Sequence, residues 1–313
     1  MDVPPRRHWF SFNLRSLFIH ITLLAIGLGW VANERSQSGR ERDIIAACGD
    51  RAWLVQWVGP FDEFERSPQS WWRVLLADVL GSRVEHFMLV APAGTDLSAL
   101  AEFSRLRSLH LHADPGTDLR PLGKLNRLEA LSLTAPKVSD ITALAGLVSL
   151  QTLDLDGTDV KDLSPLAELT KLKSLSLRGT QVSDLSPLAR VTSLETLVLD
   201  NPGFHDLSPL ARLTNLQKLD LDGTRVCDVK PLAGLTNLQQ LQLVGASLGD
   251  ISPLAGLTNL QELSFSGWEV NDVSPLARLT RLELLEVLET QVSKEQLDKL
   301  RQAIPNCSIS GPF

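Results

Sequence analysis

The sequence holds no tyrosine, only three cysteines and two methionines among 313 residues, and no surplus of positive charge. Each shortage removes a class of protein. Cys48, Cys227 and Cys307 are too few and too scattered for a disulfide framework, although one pairing stays open, and none forms the close pair that a zinc site needs. A formal charge of -7 leaves no basic footprint for phosphate, so nucleic acid is not expected as a partner. No glycine-rich phosphate loop, paired-histidine metal helix, nucleophile elbow or Cys-x-x-Cys pair occurs, so no catalytic centre and no cofactor is expected. Aromatic residues are scarce and unevenly placed: Trp9, Trp30, Trp53, Trp57, Trp71 and Trp72 come first, and only Trp268 lies in the leucine-dominated remainder. The chain changes character near residue 80.

What is present begins with an apolar run from Leu17 to Ala32, interrupted only by His20 and Thr22. It is short for a membrane span. Trp9 and Trp30 bracket it at 21 residues, however. At ~1.5 Å per residue that is roughly 30 Å, the thickness of a hydrocarbon core, and tryptophan favours both interfaces. An uncleaved signal anchor, a cleaved signal peptide and a buried helix of a soluble domain compete for this segment, and the anchor is preferred. On that reading residues 1–16 are a tail, 17–32 a transmembrane anchor and 33–43 a polar linker. Arg6, Arg7 and Arg15 before the run are matched by Arg35, Arg40 and Arg42 after it; the preferred orientation puts the tail inside and the bulk of the chain on the exported side.

The dominant signal is an internal repeat. Asp96, Asp118, Asp140, Asp162, Asp184, Asp206, Asp228, Asp250 and Asp272 recur at an unbroken interval of 22. In the unit Leu150 to Lys171, LQTLDLDGTDVKDLSPLAELTK, Leu153 and Leu155 alternate with Thr152, Asp154 and Asp156, which predicts a short strand with one buried face. A Gly-Thr turn and Val160 follow. Ser164 then suits an N-cap and Pro165 the first helical position. One coil offers about seven apolar side chains and nothing to cover them, so only stacked coils are stable.

The unit resembles the bacterial leucine-rich repeat class typified by internalins, over Val84 to Val292. The resemblance implies an α/β solenoid, with parallel strands on the concave face and short helical segments on the convex face. Members of that class usually carry asparagine where this chain has Thr158, Thr180, Thr224 and Thr290, or Pro92, Pro136, Pro202, Ala246 and Trp268, so a regular asparagine ladder is not expected at that position. The whole layout, from the RRHWFSFNLRSLF start to the solenoid, resembles a group of bacterial membrane-anchored repeat proteins. Both ends of a stack need covers. Residues 44–83, with a strand in AWLVQWV (52–58) and an amphipathic helix from Ser70 to Leu80, are expected to cap one end; residues 293–313 cap the other with a longer helix and a last strand, in which Cys307 is expected to be buried.

Two constellations invite a functional reading. His86, His110 and His112 share the strand face in adjacent coils and are read as a solvated polar surface rather than a metal site. The column Asp156, Arg178, Asp200 and Asp222, one residue per coil and flanked by Asp154 and Asp220, is the candidate partner-binding site, with Trp268 as a candidate aromatic anchor. Asp200 and Asp222 are expected about 5 Å apart, a like-charge contact that a basic peptide, protein patch or cation would relieve, set against the simpler reading of solvated carboxylates compensated by Arg178 and Lys218. The expected function is membrane-tethered protein-protein interaction. The runner-up is an envelope or adhesion protein that binds polysaccharide, against which the lack of aromatic residues on the strand face counts.

Overall fold

The computed structural model describes residues 54–56, 86–91, 95–103 and 105–311. The expected anchor at 17–32, the linker and the cap helix from Ser70 to Leu80 lie outside the described residues. By internal contacts the chain divides into two units, Met1–Trp57 and Val58–Phe313. Of the first, the strand β1 (Leu54–Gln56) is described, within the stretch where the sequence predicts one.

The second unit is a stack of coils. Its strands are β2 (His86–Ala91), β3 (Ser108–Ala113), β4 (Ala130–Thr134), β5 (Thr152–Asp154), β6 (Ser174–Ser176), β7 (Thr196–Val198), β8 (Lys218–Asp220), β9 (Gln240–Leu243), β10 (Glu262–Ser266), β11 (Leu284–Leu288) and β12 (Ser308–Ser310). All pair in parallel in sequence order. Leu153 faces Leu131 on one side and Leu175 on the other, so an interval of 22 in sequence is one step across the sheet. The last step, Leu284 to Ser308, takes two residues more, which accommodates a cap helix.

In each coil from β2 to β10 the short helical segment that the sequence suggests is a 3-10 turn. In the coil of β5 the N–H groups of Leu166, Leu169 and Leu172 donate to the carbonyls of Leu163, Leu166 and Leu169 at 2.8, 3.0 and 2.9 Å. Bonds three residues apart put residues three apart on one face. That is why leucine recurs every third position here, and all four of these leucines are buried. With Leu153, Leu155 and Val160 they make seven inward side chains per coil, covered by those of the coils above and below.

Ser164 is not the cap the sequence suggests. It is the first residue of its turn, and its side chain caps nothing there. The carboxylate of Asp162 accepts from the Ser164 N–H at 2.8 Å instead. The same bond recurs from Asp96 through Asp272, so all nine periodic aspartates start the 3-10 turn of their coil. Proline follows one position later in seven of the turns, where its missing N–H leaves no bond unmade.

Phe87 stacks on Phe103 at 5.6 Å between centroids, in the first described coil. At the other end Ser293 and Gln296 form a reciprocal capping box that opens the helix Lys294–Ala303, which buries Leu297 and Leu300. Cys307 is half-buried rather than buried, with its thiol pKa raised by desolvation. No helix among the described residues is long and apolar enough to cross a membrane.

Candidate binding surface

The strand face carries the candidate residues in two rows. Asp154 and Asp220 stand in the row that also holds Ser132, Ser176, Val198, Gln242, Ser264 and Glu286. Asp156, Arg178, Asp200 and Asp222 follow two residues after each row member of their own coil, at the mouth of the turn.

The structure gives each carboxylate a partner. Asp156 accepts from the Ser176 hydroxyl at 2.6 Å and from the Arg178 N–H at 2.8 Å, one coil ahead. Asp222 reaches in the same direction, to the Val244 N–H at 2.7 Å. Asp200 reaches the opposite way, accepting from the Gly179 N–H at 2.5 Å, one coil behind. The carboxylates of Asp200 and Asp222 are thus engaged on opposite sides, and the expected like-charge contact between them is replaced by two backbone bonds. These side chains carry the strand ladder past the point where the strands end. Asp154 accepts from the Ser132 hydroxyl at 3.2 Å and from the Asp156 N–H at 3.0 Å.

Arg178 crosses two coils, passing Val198, to donate to Asp220 at 2.5 Å. Asp220 is almost fully covered, whereas Arg178 stays 43% exposed. Beyond Asp220 the face is acidic. Burial raises the pKa of the Asp222 carboxyl, and the charges of Asp220 and Glu286 add to the shift against the Val244 N–H and Arg178, which oppose it. Glu286 joins this group from β11, and the sequence reading did not single it out; its row two strands beyond Gln242 is the signal that points to it.

Trp268 is 68% exposed, in the turn after β10. At the preceding residue a Cβ on Gly267 would meet the Leu248 carbonyl oxygen at 2.5 Å, so the backbones of neighbouring coils approach there with no side chain between them. Asp222, Trp268 and Glu286 fall within the four coils of β8 to β11. His110 and His112 lie partly exposed in alternate rows of β3, and His86 aligns with Ser108, so the three occupy different rows.

A second surface lies at the entry to the strands. Asn215, Asn237 and Asn259 each donate a side-chain N–H to the carbonyl of Thr192, Thr214 and Thr236, all at 2.8 Å. An asparagine ladder therefore exists, one coil corner away from where the class would have it. At the threonine position the side chain makes the turn bond itself: Thr158, Thr180 and Thr224 donate to the carbonyls of Leu155, Leu177 and Leu221 at 2.6 to 2.7 Å.

Residues 83–302 match the family model described as a leucine-rich repeat region. No curated protein matches the chain in sequence. Among solved structures the chain is similar to an internalin, InlF, of Listeria monocytogenes, at 26% identity and a TM-score of 0.61 over 74% of this chain and 76% of that one. It is also similar to internalin C2 of the same organism, at 39% identity and a TM-score of 0.52 over 53% of this chain and 74% of that one.

Proposed function

The chain belongs to the leucine-rich repeat family, in its internalin-like type, and from that premise we propose that it is a non-catalytic interaction module whose strand face docks a basic segment of a partner protein. The fold suits such a role, because stacked coils present a long, rigid array of side chains without spending any on chemistry. The observation that carries the reading is the raised Asp222 carboxyl: burial and the nearby Asp220 and Glu286 charges disfavour its ionised form, with Arg178 as the cation that offsets them. A lysine or arginine from a partner would supply the second cation, and exposed Trp268 would pack against the apolar stem that bears it.

The same reading assigns residues 17–32 to a membrane anchor, residues 44–83 and 293–313 to the two caps, and the repeats to the exported side. What supports it is the apolar run between Trp9 and Trp30 and the position of the repeats beyond a polar linker.

Crosslinking in intact cells, followed by identification of the attached proteins, is the direct experiment. A basic partner should be recovered from wild-type cells and lost from cells that carry Asp222→Asn with Glu286→Gln. Undiminished recovery with that variant ends the proposal for this face. For the anchor, carbonate washing should leave the full chain in the membrane pellet; release into the supernatant refutes it.

A further inference from the structure

The groove at the entry to the strands is lined by six carboxamides, Asn215, Gln217, Asn237, Gln239, Asn259 and Gln261, with Glu195 at one end and Arg281 at the other, and encloses about 370 Å³. Its two ranks differ. The asparagines are committed to the threonine carbonyls behind them, whereas the carboxamides of Gln217, Gln239 and Gln261 are exposed and bond to no other described residue. Their backbones are nevertheless fixed. The Gln217 carbonyl accepts from the N–H groups of Gln239 and Gln240 at 2.8 and 3.0 Å, and the Gln239 carbonyl accepts from Gln261 and Glu262 at 2.8 and 2.9 Å. Three unpartnered amides are thus held one coil apart. At the ends, Glu195 is paired with Lys173 at 2.8 Å, and Arg281 donates to the Asn259 carboxamide oxygen at 2.7 Å.

We propose that this groove holds an extended chain of neutral, β-1,4-linked pyranose units lying along the stack. A carboxamide both donates and accepts, as a sugar hydroxyl does, and between its ends the groove presents only carboxamides. The spacing separates the two extended polymers that amides suit. Successive units of such a chain are flipped, so like groups on one side recur every second unit, a distance close to two coils at about 4.8 Å each. An extended peptide presents like groups on one side every second residue, roughly 6.6 Å, which matches neither one coil nor two. No aromatic residue lines the groove, so binding rests on hydrogen bonds, and affinity should rise with the number of units. This surface is separate from the acidic strand face, and the two readings stand or fall independently.

The test uses the full chain in detergent and saturation-transfer NMR with three β-1,4-linked hexasaccharides, of glucose, mannose and N-acetylglucosamine, against a hexaserine peptide. At least one sugar should take up saturation more strongly than its own disaccharide, and the peptide should not. The triple variant Gln217→Ala, Gln239→Ala, Gln261→Ala should keep the melting temperature of the parent, because these side chains hold nothing in the fold, and bind about tenfold more weakly or worse. Arg178→Met should leave sugar binding unchanged. The proposal is overturned if none of the three sugars takes up saturation at millimolar concentration, if the triple variant binds as the parent does, or if hexaserine binds equally.

Discussion

Thr158, Thr180 and Thr224 each give a hydroxyl to the turn carbonyl of their own coil, and Thr290, at the same position one coil from the end, has a buried hydroxyl with no partner. The residue before each has positive φ in all four coils, glycine at 157, 179 and 223 and a glutamate at φ 47° at 289. Valine substitution should therefore act with opposite sign at equivalent places. Thr290→Val is expected to stabilise by about 1 kcal/mol and Thr158→Val to destabilise by about 1 to 3 kcal/mol, since it strips a buried carbonyl of its donor. Urea unfolding of both variants measures this, and shifts of the same sign would contradict it. Arg178→Met should cost about 1 to 2 kcal/mol, between an exposed and a buried ion pair because Arg178 is 43% exposed; adding Asp220→Asn should recover most of that.

At the scale of the element, six of the aspartate caps give the stack a pH response. The Ser164, Ser208 and Ser252 hydroxyls, then their N–H groups, hold Asp162, Asp206 and Asp250 below the ordinary aspartate value of 3.8. For Asp140 and Asp272 the N–H comes first, and for Asp118 the Arg120 guanidinium. Groups whose folded pKa is depressed stabilise fully above the unfolded value, and that contribution is lost as pH falls through the folded value. Stability should therefore fall in acid below about pH 4. The variant Asp162→Asn, Asp206→Asn, Asp250→Asn keeps three acceptors without their protons, so its urea midpoint should change less between pH 4 and pH 2.5 than that of the parent. Parallel curves would rule this out.

The elements were largely legible in the sequence. Alternating leucines gave the strands and their 22-residue register, since a leucine shifted by one would face water. The short helical segment was legible because Ser-Pro suits a helix start; the period of three in Leu163, Leu166, Leu169 and Leu172 is the signal that makes it a 3-10 turn. The candidate site was legible only in part. Reading one residue per coil finds columns, and so it found Asp156, Arg178, Asp200 and Asp222. It could not find a diagonal: the pair Arg178 and Asp220 spans 42 residues and two coils. Nor do columns reveal which way a carboxylate reaches, and this decides whether Asp200 and Asp222 confront or avoid each other.

In the whole molecule, the described coils depend on one another for cover, and the end of the stack depends on the helix Lys294–Ala303 and β12. Ending the chain after Val292 should expose the inward leucines of the last coil together with the free edge of β11. Light scattering after size exclusion should then show self-association of the shortened chain, under conditions in which the parent keeps one size. A truncated chain of the same size and stability as the parent would mean that the last coil needs no cover.

The constant step across the sheet makes length separable from register. The string LTNLQ occurs at 213–217, 235–239 and 257–261, so the chain holds near-copies of itself one coil apart. Insertion or removal of one whole 22-residue copy keeps every remaining strand in phase with its neighbours, and alters chiefly how many rungs the amide groove has.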